Sequence, residues 1–171
     1  MKITTNEKEL RVACLPATLS EGEEIAKQLY EKLATEPGIG LAANQIGINK
    51  KVFVMKVQTD YGVVEGHFVN PRILEKKNLF IFEKEGCLSY PDKWIETLRF
   101  YDIVATADNY SDPIILSGLP AVVYQHETAH TNALTMYDFK LNKFGPNDKC
   151  PCESGKKFKK CCHRNLQRRP I

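Results

Sequence analysis

The sequence lacks any hydrophobic run that approaches the length needed to cross a bilayer. Its first residues, MKITTNEKEL, are polar and lack the apolar segment of a signal peptide. No internal repeat is visible along the 171 residues. These absences argue against a membrane-spanning or secreted protein, and we expect a cytoplasmic protein that does not contact membranes.

Cysteine is scarce through most of the chain, where only Cys14 and Cys87 occur, well apart. The other four cysteines lie within the last 22 residues. A disulfide framework would distribute its cysteines through a small secreted domain. The clustering therefore favours a metal site near the C-terminus.

Charge is distributed unevenly, although the net charge is only +3. Residues 1–139 hold 14 Lys/Arg and 19 Asp/Glu, whereas residues 140–171 hold 10 and 2. A basic tail of this kind is typical of proteins that meet nucleic acid, a ribosome or an acidic partner. A solvated tail that only keeps the protein soluble is the alternative, and charge alone does not separate the two.

The patterns of apolar residues predict an α+β domain with mostly antiparallel sheet. Ser20 to Leu33 reads as a helix, with Ser20 and Glu23 forming a capping box. A second helix should run from Leu119-Pro120 to about Thr131. Between them, short runs rich in Val, Ile, Phe and Tyr predict strands at 52–57, 67–69, 79–82 and 98–107, with turns at Asn70-Pro71, Tyr90-Pro91-Asp92 and Asp112-Pro113.

The second predicted helix carries an H-E-x-x-H motif at His126, Glu127 and His130. Residues four apart lie on one face of a helix, so both imidazoles can reach one metal ion. Glu127 is then positioned to take a proton from a water bound to that ion. The alternative is a pair of core histidines satisfied by hydrogen bonds.

A third ligand is expected, because catalytic sites normally use three protein ligands and an open position. Cys87, in Glu85-Gly86-Cys87-Leu88-Ser89, offers one; an inert buried thiol is the alternative. A further segment, residues 38–45, has small residues that suggest close backbone packing, and Gln45 there can donate to developing negative charge. A glycine-bearing turn is its alternative, and its glycine spacing excludes a dinucleotide fingerprint.

Together these three segments resemble the signature motifs of peptide deformylase, in that family's order and approximate spacing, and the resemblance covers about residues 1–140. It implies antiparallel sheets packed around a central H-E-x-x-H helix, and we expect the enzyme to be a monomer. The implied activity is metal-dependent hydrolysis of the N-formyl group from formyl-methionine of newly synthesised polypeptides, with release of formate.

The resemblance also implies roles for individual residues. Cys87, His126 and His130 would hold the metal with water in the fourth position, and Glu127 would be the general acid/base. Gln45 and the Leu88 backbone N–H would stabilise the oxyanion. The metal would be Fe²⁺ in the cell, with Zn²⁺, Ni²⁺ or Co²⁺ as alternatives. The expected substrate-binding residues are Gly40, Glu85, Leu119, Val122 and Val123, the last three having ordinary core packing as their alternative.

Two positions depart from the family pattern. Ala129 stands where relatives usually carry Asp before the second histidine, and Trp94 stands where many carry Arg. Both departures suggest altered polar support or substrate contacts, not loss of the metal. The helix that ends most relatives is also not predicted here.

The tail has Cys150-x-Cys152, eight residues, then Cys161-Cys162. Four thiolates make a closed zinc site that can fold a segment too small to have a core, although His163 could replace Cys162. The stretch resembles a SEC-C motif, which implies one structural Zn²⁺ and docking to a ribosome or a SecB-like chaperone. We therefore predict a catalytic domain at 1–144 and a zinc-binding tail at 145–171; unpaired thiols in a flexible tail are the alternative.

The sequence is compatible with two rival functions. A zinc protease would share the H-E-x-x-H helix but would leave the cysteine and glycine segments unexplained. An inactive adaptor that acts through its tail would explain Ala129 and Trp94, but not the retained ligand set. The source is open, and the host cytoplasm is the expected location if the protein is encoded by a virus.

Overall fold

A computed structural model describes residues 1–169 of the chain. Positions 170 and 171, the last two of the predicted tail, lie outside the described residues. None of the described helices is long and apolar enough to span a bilayer. The helices are α1 (Glu7–Leu10), α2 (Leu19–Leu33) and α3 (Leu119–Thr131), and the strands are β1 (Gly40–Ala42), β2 (Val52–Thr59), β3 (Gly62–Val69), β4 (Arg72–Cys87), β5 (Tyr90–Thr106), β6 (Ile114–Ser117) and β7 (Arg168–Arg169).

The strands form two sheets that enclose α3. One sheet has the order β1-β2-β3 and the other has the order β6-β5-β4-β7. Every pairing is antiparallel except that of β4 with β7, in which Ile81 is paired with Arg168. The predicted α+β class with mostly antiparallel sheets around the H-E-x-x-H helix is confirmed.

Helix α3 has the predicted bounds and is buried along its length, from Pro120 to Thr131. Gly118 precedes it at φ 64°, a conformation that glycine adopts without strain, and Pro120 lies in its first turn. A helix that is buried on all sides needs partners for its polar groups. His126 accordingly meets Glu85 and His130 meets Cys87, and that arrangement forms the site.

Helix α2 begins one residue earlier than predicted, and its capping box is different. Thr18 is the N-cap, and its side chain and that of Glu21 exchange hydrogen bonds with each other's backbone. The expected box of Ser20 and Glu23 is wrong. Thr18 and Glu21 have the same three-residue spacing, and Thr18 is the residue whose backbone is extended, as an N-cap requires. The apolar stripe of Ile25, Leu29 and Leu33 is buried, as expected.

Strands β4 and β5 form a long hairpin whose tip carries Cys87. The turn lies at Leu88-Ser89, so the expected turn at Tyr90-Pro91 is wrong: both residues begin β5. Register shifts occur between Phe82 and Glu85 and between Gly86 and Cys87. Such bulges bend a strand and re-aim its side chains, and here they lie directly before the Cys87 thiol.

The tail packs against this hairpin. Cys150 and Phe158, exposed by only 3% and 1%, belong to the same apolar cluster as residues of β4, β5 and α3. Lys76 of β4 pairs with Glu153 at 2.6 Å, and Arg168 pairs with Glu96 of β5. The tail thus shares a hydrophobic core with the sheet.

Candidate metal centre and cleft

Three ligand atoms converge where the hairpin tip meets α3. His126 and His130 lie one helical turn apart, and their Nε2 atoms are 3.2 Å apart. The Cys87 Sγ lies 3.3 Å from His130 Nε2, and the three donor atoms all lie within 4.8 Å of one another. Tetrahedral zinc, at about 2.0–2.1 Å from nitrogen and about 2.3 Å from sulfur, places ligand atoms roughly 3.3–3.6 Å apart. The donor set and its spacing fit one divalent cation.

A buried carboxylate orients the first histidine. The Nδ1 of His126 lies 2.7 Å from Glu85 Oε1, and Glu85 also accepts hydrogen bonds from Arg99 Nε at 2.7 Å and Thr97 Oγ1 at 2.5 Å. Burial alone would raise the pKa of Glu85, but Arg99 and His126 outweigh it and hold the pKa well below its usual range. With Nδ1–H held this way, Nε2 of His126 is free to bind a metal.

This network changes the expected role of Glu85. Its side chain lines the cleft, but the residue is only 2% exposed and both carboxylate oxygens have protein partners. Those contacts place Glu85 behind His126, not against a substrate. The sequence reading did not single out Arg99; a lone arginine among the apolar residues of the predicted strand 98–107 was the available signal.

The second histidine has a different environment. His130 is fully buried, and burial lowers its pKa well below the usual value, which keeps the imidazole neutral as a ligand must be. Among the described residues its Nδ1 finds no hydrogen-bond partner. The Asn44 amide donates to its backbone carbonyl at 2.9 Å, which fixes the end of the helix. Ala129 beside it is buried and supplies no polar group.

Glu127 is buried and lines the same cleft as Cys87 and His126. It is 4% exposed, and its Oε2 has no hydrogen-bond partner within the described part of the chain. Burial raises the pKa of Glu127 to about 7. A Cβ at Gly40 would lie 2.5 Å from Glu127 Oε1, so only glycine lets β1 pass this close to the carboxylate.

Gln45 and Leu88 border the thiol. The Gln45 Oε1 accepts from the Ala42 backbone N–H at 2.9 Å, and its Nε2 donates to Ser89 Oγ at 3.1 Å and lies 3.5 Å from Cys87 Sγ. The amide group is therefore fixed with its donor on the Cys87 side. Leu88 lies in the hairpin turn and lines the cleft.

A cleft of about 580 Å³ opens over these residues. Val122 and the half-buried Leu119 pack with Phe80 and Phe82, and Val123 joins the main core. All three predicted pocket residues of α3 line the cleft, together with Phe82. The cleft therefore has an apolar wall, and Cys87 and His126 line it as well.

The tail thiols form a second cluster. The Sγ atoms of Cys150 and Cys161 lie 3.3 Å and 3.6 Å from that of Cys152, and Cys161 and Cys162 are 3.9 Å apart. Four thiolates around tetrahedral zinc lie about 3.8 Å apart. The His163 ring packs on Phe158 with centroids 5.0 Å apart, while Cys162 groups with the other three cysteines. The donor set therefore fits a four-cysteine zinc site.

The chain is similar to known proteins over both parts. The family model described as polypeptide deformylase matches residues 2–144, and the SEC-C motif model matches residues 147–164. The chain is 36% identical to Peptide deformylase 2 of Bacillus anthracis over 126 residues, covering 70% of this chain and 68% of that protein. It is 33% identical to the peptide deformylase of Aquifex aeolicus over 123 residues, covering 69% and 72%.

Solved structures show the same likeness. The deformylase of the Vibrio parahaemolyticus bacteriophage VP16T, solved with actinonin, is 30% identical, has a TM-score of 0.71, and the match covers 79% of this chain and 99% of that one. The deformylase of Thermotoga maritima is 30% identical with a TM-score of 0.70, and the match covers 82% and 96%.

Proposed function

The chain belongs to the peptide deformylase family of metal-dependent hydrolases, and on that premise we propose that it removes the formyl group from N-terminal formyl-methionine of newly made polypeptides, releasing formate. One observation carries the proposal. Cys87, His126 and His130 converge within 4.8 Å of one another, and Glu127, whose buried Oε2 has no hydrogen-bond partner among residues 1–169, lines the same cleft as Cys87 and His126. Since nascent chains are made on ribosomes, we place this activity in the cytoplasm.

We assign the catalytic metal to Cys87, His126 and His130. A divalent cation bound there supplies Lewis acidity, which polarises a carbonyl and lets water lose a proton near neutral pH. A thiolate with two imidazoles can take Fe²⁺, Zn²⁺, Ni²⁺ or Co²⁺, and availability decides which is bound in the cell; we propose Fe²⁺. Glu85 fixes the tautomer of His126 for this purpose.

Glu127 carries the proton in this proposal. Its buried Oε2 accepts a proton from the attacking water and passes it to the amine nitrogen that leaves. Gln45 Nε2, fixed on the Cys87 side, donates to the formyl oxygen as negative charge develops there, and the Leu88 backbone N–H donates beside it.

The cleft positions the peptide. Strand β1 lies at the edge of its sheet, so the backbone at Gly40 is available to pair with a substrate that adds as a further strand. The apolar inner wall formed by Leu119, Val122 and Val123 suits a methionine side chain. An extended peptide held in this way presents its formyl group to the ligand cluster.

The test is formate release from formyl-Met-Ala-Ser by protein freshly loaded with Fe²⁺, Ni²⁺ or Zn²⁺. We expect formate without cleavage of the Met-Ala bond, and Glu127→Gln should stop turnover while metal content, measured by emission spectroscopy, is unchanged. Cleavage of internal peptide bonds would indicate a zinc protease instead. A metal-loaded protein that releases no formate would indicate an adaptor.

We propose that residues 145–171 form a zinc-bound docking element for ribosomal RNA. Cys150, Cys152, Cys161 and Cys162 hold the zinc, and the basic side chains around them are exposed: Lys149, Lys156, Lys157, Lys159, Lys160 and Arg164. A surface of this charge binds phosphates with a steep salt dependence. A SecB-like chaperone is the competing partner.

The docking test changes charges and leaves the core intact. Lys156, Lys157 and Lys160 are replaced together by Glu, and the matched control replaces Lys8, Lys27 and Lys77, which are exposed elsewhere. We expect the tail variant alone to lose co-sedimentation with ribosomes, with activity on free peptide unchanged. Equal ribosome binding by both variants would reject the docking role, and binding to an acidic chaperone in its place would reassign the partner.

A further inference from the structure

The single tryptophan of the chain lies exposed at the mouth of the cleft. Trp94 is 67% exposed, and its indole lies over Gly86, its partner across β4 and β5. A Cβ at Gly86 would lie 2.5 Å from the Trp94 Cζ3, so the glycine lets the ring lie flat on the backbone. The ring is therefore supported from below while most of its surface faces solvent.

The indole also borders a second cavity. Trp94 lines the cleft that holds Cys87 and His126, and it lines a separate hollow of about 370 Å³ whose other walls include Ile95, Lys140 and Leu141. A peptide that continues from the cleft into this hollow passes the ring. Charges of both signs flank the ring, with Lys93 and Asp92 on the cleft side and Glu96 and Lys140 on the other, so selection by charge is weak and the apolar ring face is the distinctive feature.

We propose that Trp94 is a specificity-determining residue, an aromatic platform that receives the side chain of the second or third residue of the substrate and favours apolar and aromatic ones. Trp94 is paired with Gly86, the neighbour of Cys87. Strands lie about 4.8 Å apart and an extended chain advances about 3.3 Å per residue. A peptide whose formyl group lies at the thiol therefore reaches the indole within about two or three residues. The inference rests on the proposed function.

The kinetic test compares formyl-Met-X-Ala and formyl-Met-Ala-X, with X as Ala, Phe or Glu. The wild-type chain should favour Phe over Glu by about tenfold or more in kcat/KM at one of the two positions, mainly through KM, because stacking on an aromatic ring stabilises the bound peptide. Trp94→Ala should reduce that ratio to within about twofold, chiefly by raising KM for the Phe-containing peptide, whereas Trp94→Phe should keep the preference. Tyr61→Ala, which removes a fully exposed ring in the β2–β3 turn, is the matched control and should change nothing.

A spectroscopic test reports on contact itself. Trp94 is the only tryptophan, so the fluorescence of the Glu127→Gln variant reports on this residue alone. The emission maximum should shift to shorter wavelength, to saturation, as the peptide with X as Phe is added. The peptide with X as Glu should cause no such shift. Formate release without any Phe preference, or a preference that survives in Trp94→Ala, would overturn the inference and leave the proposed function intact. Failure of the wild-type chain to deformylate formyl-Met-Ala-Ala would overturn the proposed function, and the inference with it.

Discussion

The Glu85 carboxylate joins His126 to Arg99: its Oε1 lies 2.7 Å from the histidine Nδ1, and its Oε2 accepts from the arginine Nε at 2.7 Å. Arg99 is 1% exposed, and its guanidinium packs against this carboxylate. The same carboxylate therefore holds His126, the proposed metal ligand, in one tautomer and neutralises a buried guanidinium.

We expect Glu85→Gln to lower both the affinity for the proposed catalytic metal and the free energy of unfolding. Loss of an outer partner of a metal histidine typically lowers metal affinity by about 10–100-fold, and leaving Arg99 without its partner costs about 3–5 kcal/mol. Metal titration and urea unfolding measure the two effects. Glu83→Gln, on the same strand but exposed, is the control. Unchanged metal affinity in Glu85→Gln would show that Glu85 does not position His126.

Gly40→Ala should lower turnover without removing the metal. The new Cβ would lie 2.5 Å from Glu127 Oε1, so the carboxylate must move. A displacement of about 1 Å can cost roughly a hundredfold in rate. Steady-state formate release and metal content, measured on the same preparation, separate this effect from loss of the ion; normal kcat in the variant would contradict the close approach.

Gln45→Glu tests the amide donor with little change in shape. The Glu side chain keeps an oxygen to accept from the Ala42 N–H but has no N–H to donate on the Cys87 side. We expect kcat to fall by about a hundredfold to a thousandfold, the usual effect of losing one oxyanion donor. Gln58→Glu, on the surface at the end of β2, should leave kcat unaltered. A variant of Gln45 that retains full kcat would remove it from the chemistry.

Phe158→Ala should destabilise the whole chain, not the tail alone. The ring is 1% exposed in the cluster that includes β4 and β5, and truncating a buried Phe typically costs about 3–5 kcal/mol. Urea unfolding followed by circular dichroism and by Trp94 fluorescence should give one coincident transition, with its midpoint at a lower urea concentration than in the wild-type chain. Lys157→Ala, an exposed neighbour, serves as the control. Two separate transitions would mean that the tail folds independently.

Loss of the proposed tail zinc should also lower the stability of the chain. Cys161→Ser takes one thiol from a cluster whose sulfurs lie 3.6 Å and 3.9 Å from it. We expect one fewer zinc per chain and a lower melting temperature, because zinc binding contributes directly to folding. Cys14→Ser removes a thiol far from the cluster in sequence and should leave the zinc count unchanged. Full zinc content in Cys161→Ser would point to a different ligand set.

The sequence predicted what depends on local pattern and strong motifs. Leu119–Thr131 was placed correctly because Pro120 marks the start of the helix and the H-E-x-x-H spacing requires one face. The ligand candidates on that helix and in the hairpin were found because Cys87 and the two histidines are chemically unusual in apolar surroundings. Cys87 lies 39 positions before His126, so no local pattern links them, and their convergence on one ion was predicted only through the resemblance to peptide deformylase.

Features set by tertiary packing were not predictable in this way. Ser20-Glu23 and Thr18-Glu21 satisfy the same capping pattern, and only the backbone at Thr18 decides between them. Arg99 gave no motif, because its role comes from Glu85 across the hairpin. The packing of Phe158 on the catalytic sheet was missed because the basic composition of the tail hides one buried ring.

The pairing of β7 with β4 and the burial of Phe158 have a consequence for modular exchange. If the SEC-C segment of this chain were fused to another enzyme, the Phe158 ring would be exposed to solvent and β7 would have no strand to pair with. A recipient enzyme would need a matching apolar face and a free strand edge to accept it. In this protein the accessory and the enzyme are coupled parts, and changes in one are constrained by the surface of the other.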